Sequence, residues 1–393
     1  MAAERRPNRD PLIVSIVGTR PEAIKMRPVV AALRNHGGFE QRVMLTGQHA
    51  GLAPAFDFLP GEAVEQLDLD PTEQSAGELR DSIHHALCGR LHRAEADLVL
   101  VQGDTSSAYA GALAARDRGI ALGHVEAGLR SFDLAQPWPE EGYRIGIDAL
   151  SDLLFAPTQA AVRNLEADPG VRGAVYLTGN SGIDALLQAL DDVDPLPSPN
   201  AGRKRILLTC HRRENRGEPL RELVQACRRL VRDLPVEITL PLHRSAVVRD
   251  PLEQALRGES HVHLVEPLEH RDMVAAMAAS WLIITDSGGI QEEAPALGRP
   301  MLVLRHVTER PEALAGANAE LVGTDADRIV AAVCALLGDE VRYARMAQPR
   351  FPFGDGNASI QIAQAVEAFF ACPPEQRRLA APLPLPCLEQ ALS

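Results

Sequence analysis

Short, nearly continuous apolar runs recur along this chain and alternate with longer segments of helical period, a pattern few folds accept. Runs at 12–17, 42–45, 97–102, 120–125, 153–156 and 175–178 form one series. A second series lies at 205–209, 237–241, 262–265, 282–285, 301–305 and 320–322. Helical patterns fill most of the gaps, as at 106–118 and 221–233. A strand that is apolar on both sides must be covered on both sides, which is the condition of a parallel sheet flanked by helices. Residues 191–204 (DDVDPLPSPNAGRK), rich in Pro, Asp and small polar residues, read as a linker between the series. The expected organisation is therefore a flexible N-terminus at 1–10, an α/β domain at 11–190, a second at 205–372 and a Pro-rich tail at 373–393.

Composition narrows the function. The net charge of −13 disfavours a general nucleic-acid binder, although residues 203–232 carry ten Arg or Lys against three acids. Arg221, Arg228 and Arg232 within that stretch are spaced for one solvated helix side. Aromatic residues make up only 4%, so base stacking is not a theme. No apolar run approaches the ~18 residues of a membrane span, and the polar N-terminus has no secretory signal pattern. A cytoplasmic protein without membrane or nucleic-acid partners is expected. The six cysteines form no C-x-x-C pair and do not alternate with His at zinc spacing, so no metal site is expected.

In doubly wound sheets ligands bind beyond the carboxyl ends of the strands, so those junctions are where chemistry is sought. The first is Gly18-Thr19-Arg20-Pro21-Glu22, opening a helix that brings Arg20 and Lys25 near its N-terminus. It reads equally as an anion site and as a capped helix with two exposed cations. Neither G-x-G-x-x-G nor a P-loop is present. Asp104 follows the third strand and serves either as a carboxylate for chemistry or as an N-cap. Glu126 stands in a Gly-containing loop flanked by His124 and Arg130, and Glu140 lies in the first turn of a later helix. In the second half, His211-Arg212-Arg213 forms a cationic cluster. Ser287 can cap a helix that starts Gly288-Gly289, which allows a phosphate close approach. Glu293 lies one turn on, placed for sugar hydroxyls, and Arg310 adds a further cation. Metal hydrolases and serine hydrolases lack their signatures here.

At these residues the chain resembles the non-hydrolysing UDP-N-acetylglucosamine 2-epimerases. The strings that match are GTRPEAIKM (18–26), TGQH (46–49), GDT (103–105), GHVEAGLR (123–130), PWPEE (137–141), TGN (178–180), HRREN (211–215), TDSGGIQEEAP (285–295), TERPEA (308–313) and FGDG (353–356). The hydrolysing relatives usually carry GTRADYG in place of GTRPE. The resemblance implies a GT-B architecture: two Rossmann-like domains with parallel sheets facing a central cleft, and a last helix crossing back to the first. It also implies a homodimer that uses no metal or other cofactor. The implied reaction exchanges UDP-GlcNAc and UDP-ManNAc by eliminating UDP to a 2-acetamidoglucal and re-adding it.

Carried over by motif, Asp104, Glu126, Glu140 and His211 match the catalytic positions. Arg20, Lys25, Ser287, Gly288, Gly289, Glu293 and Arg310 match the nucleotide-sugar contacts. Gln48, His49, Arg212 and His243 match a possible effector site for a second UDP-GlcNAc. Departures are Gln102 for His before GDT, Tyr143 for Asn after PWPEE, Cys210 for Gly before HRREN, and Met273 where an aromatic often faces uracil. The TGQH loop continues Ala50-Gly51-Leu52, without the usual longer polar side chains. Alternative readings are a GT-B glycosyltransferase with a UDP-sugar donor, or an epimerase of a modified UDP-sugar.

Overall fold

The structure, a computed structural model, describes residues 9–69, 75–193, 202–212, 215, 217–243, 245–308 and 310–373. The expected flexible N-terminus and Pro-rich tail fall almost entirely outside these residues, as does 194–201 of the expected linker. The chain forms two compact units, Met1–Ala185 with Gly354–Ser393, and Leu186–Phe353.

The first unit holds β1 (Leu12–Val17), β2 (Glu40–Leu45), β3 (Val64–Gln66), β4 (Leu98–Gln102), β5 (Ala121–Val125), β6 (Leu153–Ala156) and β7 (Ala174–Leu177). All pair in parallel, in the order β3-β2-β1-β4-β5-β6-β7. The run LIVSIV of β1 shows why the sheet needs cover on both sides. Ile13 and Val17 point into a core shared with Met26, Val29 and Leu33, while Leu12, Val14 and Ile16 point into another with Ile83, Leu87 and Ala112. The one strand absent from the apolar pattern is β3, three polar-containing residues (VEQ) at a sheet edge. A short edge strand needs no apolar run, because nothing packs over all of it.

The helices of this unit include α1 (Arg20–His36), α2 (Ala76–Ala94), α3 (Ser106–Asp117), α4 (Glu140–Leu150), α5 (Gln159–Ala167) and the first turn of α6 (Ser181–Asp191). The helix Ala358–Ala371 also belongs here, with Ile362, Ala363 and Val366 buried in the same core as α1. Its first amides are held by the α6 side chain Asp184, which accepts N–H bonds from Ala358 (3.3 Å) and Ser359 (2.8 Å). A carboxylate there satisfies donors that the helix cannot pair itself and complements its dipole.

The second unit repeats the plan with β8 (Lys204–Thr209), β9 (Val236–Pro241), β10 (Val262–Val265), β11 (Leu282–Thr285), β12 (Met301–Val303) and β13 (Ala319–Leu321). Their order is β10-β9-β8-β11-β12-β13, again all parallel. Both sheets thus reverse direction beside their first strand, at β1/β4 and β8/β11, and each reversal opens a crevice at the carboxyl ends.

At the first crevice the backbone of Gly18 approaches α3 so closely that an added Cβ would stand 1.9 Å from Ser107 Oγ and 2.6 Å from Thr46 Oγ1. Gly18→Ala should therefore lower the unfolding free energy by ~1–3 kcal/mol in urea titrations. Gly77→Ala, where a Cβ meets nothing within 4 Å, should leave it level or slightly raised. Equal effects of the two substitutions would contradict this packing.

Candidate active site

The loop after β1 is organised around one buried carboxylate. Thr19 caps α1, and Glu22 turns back to accept the N–H groups of Gly18 (2.8 Å) and Thr19 (2.5 Å), completing a capping box. Its other oxygen accepts the hydroxyl of Thr105 (2.5 Å), in the loop after β4. Glu22 therefore fastens the two strand ends that flank the crevice. Burial pushes its pKa up to about 6, against hydrogen bonds from Thr105, Gly18 and Thr19 that favour the charge. The 46–49 loop is drawn to the same place. His49 donates its N–H to Gly18 O (2.7 Å) and receives that of Arg20 on Nδ1 (3.2 Å), and Gln48 Oε1 accepts from Ser107 (2.7 Å).

Gln102 and Val125 are register partners, so the junctions beyond them, carrying Asp104 and Glu126, end neighbouring strands. Asp104 is not the cap of α3. That place belongs to Thr105, whose hydroxyl accepts from Ala108 N (3.1 Å). The Asp104 carboxylate instead accepts from Arg144 Nε (2.7 Å) and Nη2 (2.6 Å). Arg144 also binds the buried Glu141 (2.8 Å), which accepts the N–H groups of Ser131 and Phe132. Glu140, one residue earlier, is partly exposed and opens α4.

Glu126 has a left-handed backbone (φ 69), and its Oε2 accepts from Lys25 Nζ (2.5 Å), Gln102 (2.9 Å) and Asn180 (3.4 Å). The neighbours that drew attention to Glu126 in the sequence are turned elsewhere. His124 and Arg130 both bind the buried Asp148, at 2.6 Å each. Burial acts to raise the pKa of Asp148, but His124 and Arg130 outweigh it and hold the carboxyl below its usual range. Lys25, expected among the nucleotide-sugar contacts, also pairs with Glu126.

In the second unit the organising carboxylate is Asp286, fully buried after β11. It accepts the N–H groups of His211 (2.9 Å) and Arg212 (2.9 Å) and the amide of Asn215 (2.8 Å), which ties down the loop after β8. His211 Nδ1 lies 3.1 Å from Asp286 Oδ1, so Nδ1 carries a proton toward the carboxylate. Burial would raise the Asp286 pKa, but the side-chain hydrogen bond and charge of His211 and the backbone N–H groups of Arg212 and His211 hold it at about 2. The carboxylate is therefore ionised near neutral pH. The ring of His243 stacks on that of His211 with centroids 6.0 Å apart, and its Nδ1 accepts from Ser245 N.

Helix Gly288–Ala296 starts at the same crevice. Ser287 occupies the N-cap, yet its side chain makes no capping bond; its N–H is engaged by Thr285 Oγ1 (3.0 Å). The expected serine cap is therefore corrected to a turn set by Thr285. A Cβ on Gly288 would lie 3.2 Å from Arg310 Cζ, so glycine is what lets the guanidinium sit over the helix start. Arg310 is held there by the buried Glu292 through Nε and Nη2, both 2.9 Å. Glu293 is partly exposed on the first turns of this helix.

Each crevice thus presents chemistry of its own. The first unit offers two carboxylates on adjacent strand ends, each steadied by a cation, a set suited to moving protons. The second offers an oriented imidazole, a guanidinium and a helix N-terminus, a set suited to phosphate oxygens. Glu22, Arg144, Glu141, Asp148 and Asp286 were not singled out by sequence. Arg144 had a usable signal, since it follows Glu140 and Glu141 by four and three residues on one helix.

A family model described as UDP-N-acetylglucosamine 2-epimerase matches residues 31–367. The chain is similar to the UDP-N-acetylglucosamine 2-epimerase of Salmonella typhimurium, with 39% identity covering 91% of this chain and 98% of that one. Its similarity to the Bacillus subtilis enzyme of the same name is 40%, covering 90% and 94%. Among solved structures, UDP-GlcNAc 2-epimerase from Neisseria meningitidis bound to UDP-GlcNAc superposes with a TM-score of 0.84 at 38% identity, covering 91% of this chain and 100% of that one. S. aureus MnaA with UDP gives 0.83 at 37%, covering 92% and 97%. These neighbours are GT-B-like, as is the α/β plan described above. A glycotransferase of kitacinnamycin, 14% identical with a TM-score of 0.61, shares the fold alone. No described helix is long and apolar enough to cross a membrane.

The raised pKa of Glu22 has a measurable consequence. A carboxyl that binds its proton more tightly when folded adds stability that is full below the unfolded value of 4.5 and is lost as pH rises through about 6. The stability of the parent relative to Glu22→Gln should therefore fall by ~2 kcal/mol between pH 4.5 and pH 7 in denaturant titrations. A difference that does not change with pH would contradict the account of this loop.

Proposed function

Because the chain belongs to the UDP-N-acetylglucosamine 2-epimerase family, we propose that it inverts C2 of a UDP-N-acetylhexosamine without hydrolysis, exchanging UDP-GlcNAc and UDP-ManNAc. The observation that carries this reading is the pair of cation-held carboxylates, Asp104 with Arg144 and Glu126 with Lys25, on adjacent strand ends.

The C2 proton is not α to a carbonyl, so its removal needs help from the leaving group. As one carboxylate takes that proton, the C2–H electrons form a C1=C2 bond and the anomeric C–O electrons depart with UDP. The product of this half-reaction is a 2-acetamidoglucal. Re-addition of UDP at C1, with a proton delivered to the opposite face of C2, completes the inversion. No electrons are gained or lost overall, so the chemistry balances without a nicotinamide or a metal. Asp104 and Glu126 act as the acid/base pair and Glu140 supports them. His211, oriented by Asp286, joins Arg20, Arg310 and the Gly288-Gly289 amides in stabilising the UDP that departs. Ser287 and Glu293 contact the nucleotide sugar. The enzyme works in the cytoplasm as a homodimer.

Incubation with UDP-GlcNAc alone, in EDTA and without NAD, should yield UDP-ManNAc by anion-exchange chromatography. Free ManNAc with UDP would identify a hydrolase, and no conversion without an added acceptor would favour a transferase. Asp104→Asn and Glu126→Gln should each lower kcat by ~10²-fold or more with smaller changes in KM. Equal losses in both parameters would refute the roles given to these carboxylates.

A further inference from the structure

A second cluster of reactive side chains lies on the outer face of the first unit, away from the strand ends. His84 and Cys88 stand one turn apart on α2, and Asp117 ends α3. The two helices are fixed against each other by a shared core that includes Ile83, Leu87, Ala112 and Ala115. Asp117 Oδ2 lies 2.9 Å and Cys88 Sγ 3.4 Å from the same atom, His84 Nε2. One donor atom from each residue falls within 4.8 Å of the others.

That convergence is informative. A nucleophilic triad would run in series through the ring, with thiol and carboxylate on different nitrogens. Here both meet at one nitrogen, as ligands do around a common centre. Tetrahedral zinc with bonds of about 2.0–2.3 Å sets its ligand atoms about 3.3–3.8 Å apart, within a small side-chain adjustment of these positions. The cysteines form no C-x-x-C pair, but an i, i+4 pair on a helix also places two ligands on one face. A bare carboxylate at the C-terminal end of α3 opposes the helix dipole, whereas a cation there is favoured.

We propose that His84, Cys88 and Asp117 bind one divalent cation of the zinc class, with water as fourth ligand. On binding, the Cys88 thiol releases its proton to solvent and the S–metal bond forms. Thiolate and carboxylate then balance the charge of the ion, while the imidazole stays neutral. The site is separate from the epimerisation machinery, so its occupancy concerns the packing of α2 on α3 rather than catalysis.

The test is titration of the untagged, metal-stripped full chain with Co²⁺. One equivalent should produce a thiolate-to-cobalt charge-transfer band together with intense tetrahedral d–d bands, and Zn²⁺ should displace both. Cys88→Ser should abolish the charge-transfer band, and Asp117→Asn should weaken Co²⁺ binding at least ~10-fold. Both variants should keep parental epimerase activity. A charge-transfer band that survives in Cys88→Ser, or no band at one equivalent, would overturn the proposal.

Discussion

Buried carboxylates that collect backbone N–H groups hold this molecule's working loops in place. Glu22 joins the ends of β1 and β4, and Asp286 gathers the loop after β8 onto the end of β11. Asp148 takes the N–H of Gly128 along with His124 and Arg130, and Asp184 receives the start of helix Ala358–Ala371. A parallel sheet makes such residues necessary. Its strands are covered on both faces, and every strand ends in a loop whose polar backbone groups would otherwise be buried without partners. An ionised oxygen satisfies two or three of these donors at once, each charge-assisted bond being stronger than a neutral one. The cost of removing one such carboxylate would be large, because several donors would lose their partner together.

The same device prepares the chemistry. Asp286 remains ionised with a pKa of about 2 and fixes both the position and the tautomer of His211. Glu141 steadies Arg144, which in turn holds Asp104. Glu126 is fixed by Lys25, Gln102 and Asn180, three donors from three separate segments. Groups that are already oriented need no reorganisation when charge develops, which is where much of an enzyme's advantage arises.

Much of this plan was legible in the sequence. Apolar runs located every strand except β3, whose three residues sit at an edge and need no apolar signature. The motif strings fall at the strand ends where Glu22, Asp104, Glu126 and Asp286 make their contacts. Individual contacts were less visible, because a sequence shows which residue types follow a strand but not which of them turns inward. Asp104 read as a possible cap, but Thr105 takes that place and leaves Asp104 to Arg144. His124 and Arg130 read as flanks of Glu126, although both bind Asp148. Asp286 and Glu22 carry no sequence signal of their roles, since burial and donor count are set only once distant strands come together.

The central claim is that protein carboxylates exchange the C2 proton of the sugar with solvent during inversion. Proton NMR of UDP-GlcNAc incubated with the enzyme in D2O tests it directly. The account predicts that UDP-ManNAc forms with deuterium at C2 and that the C2 proton signal of the equilibrated pool disappears. UDP-ManNAc that retains its C2 proton would contradict it, because the hydrogen would then have moved without exchanging with solvent.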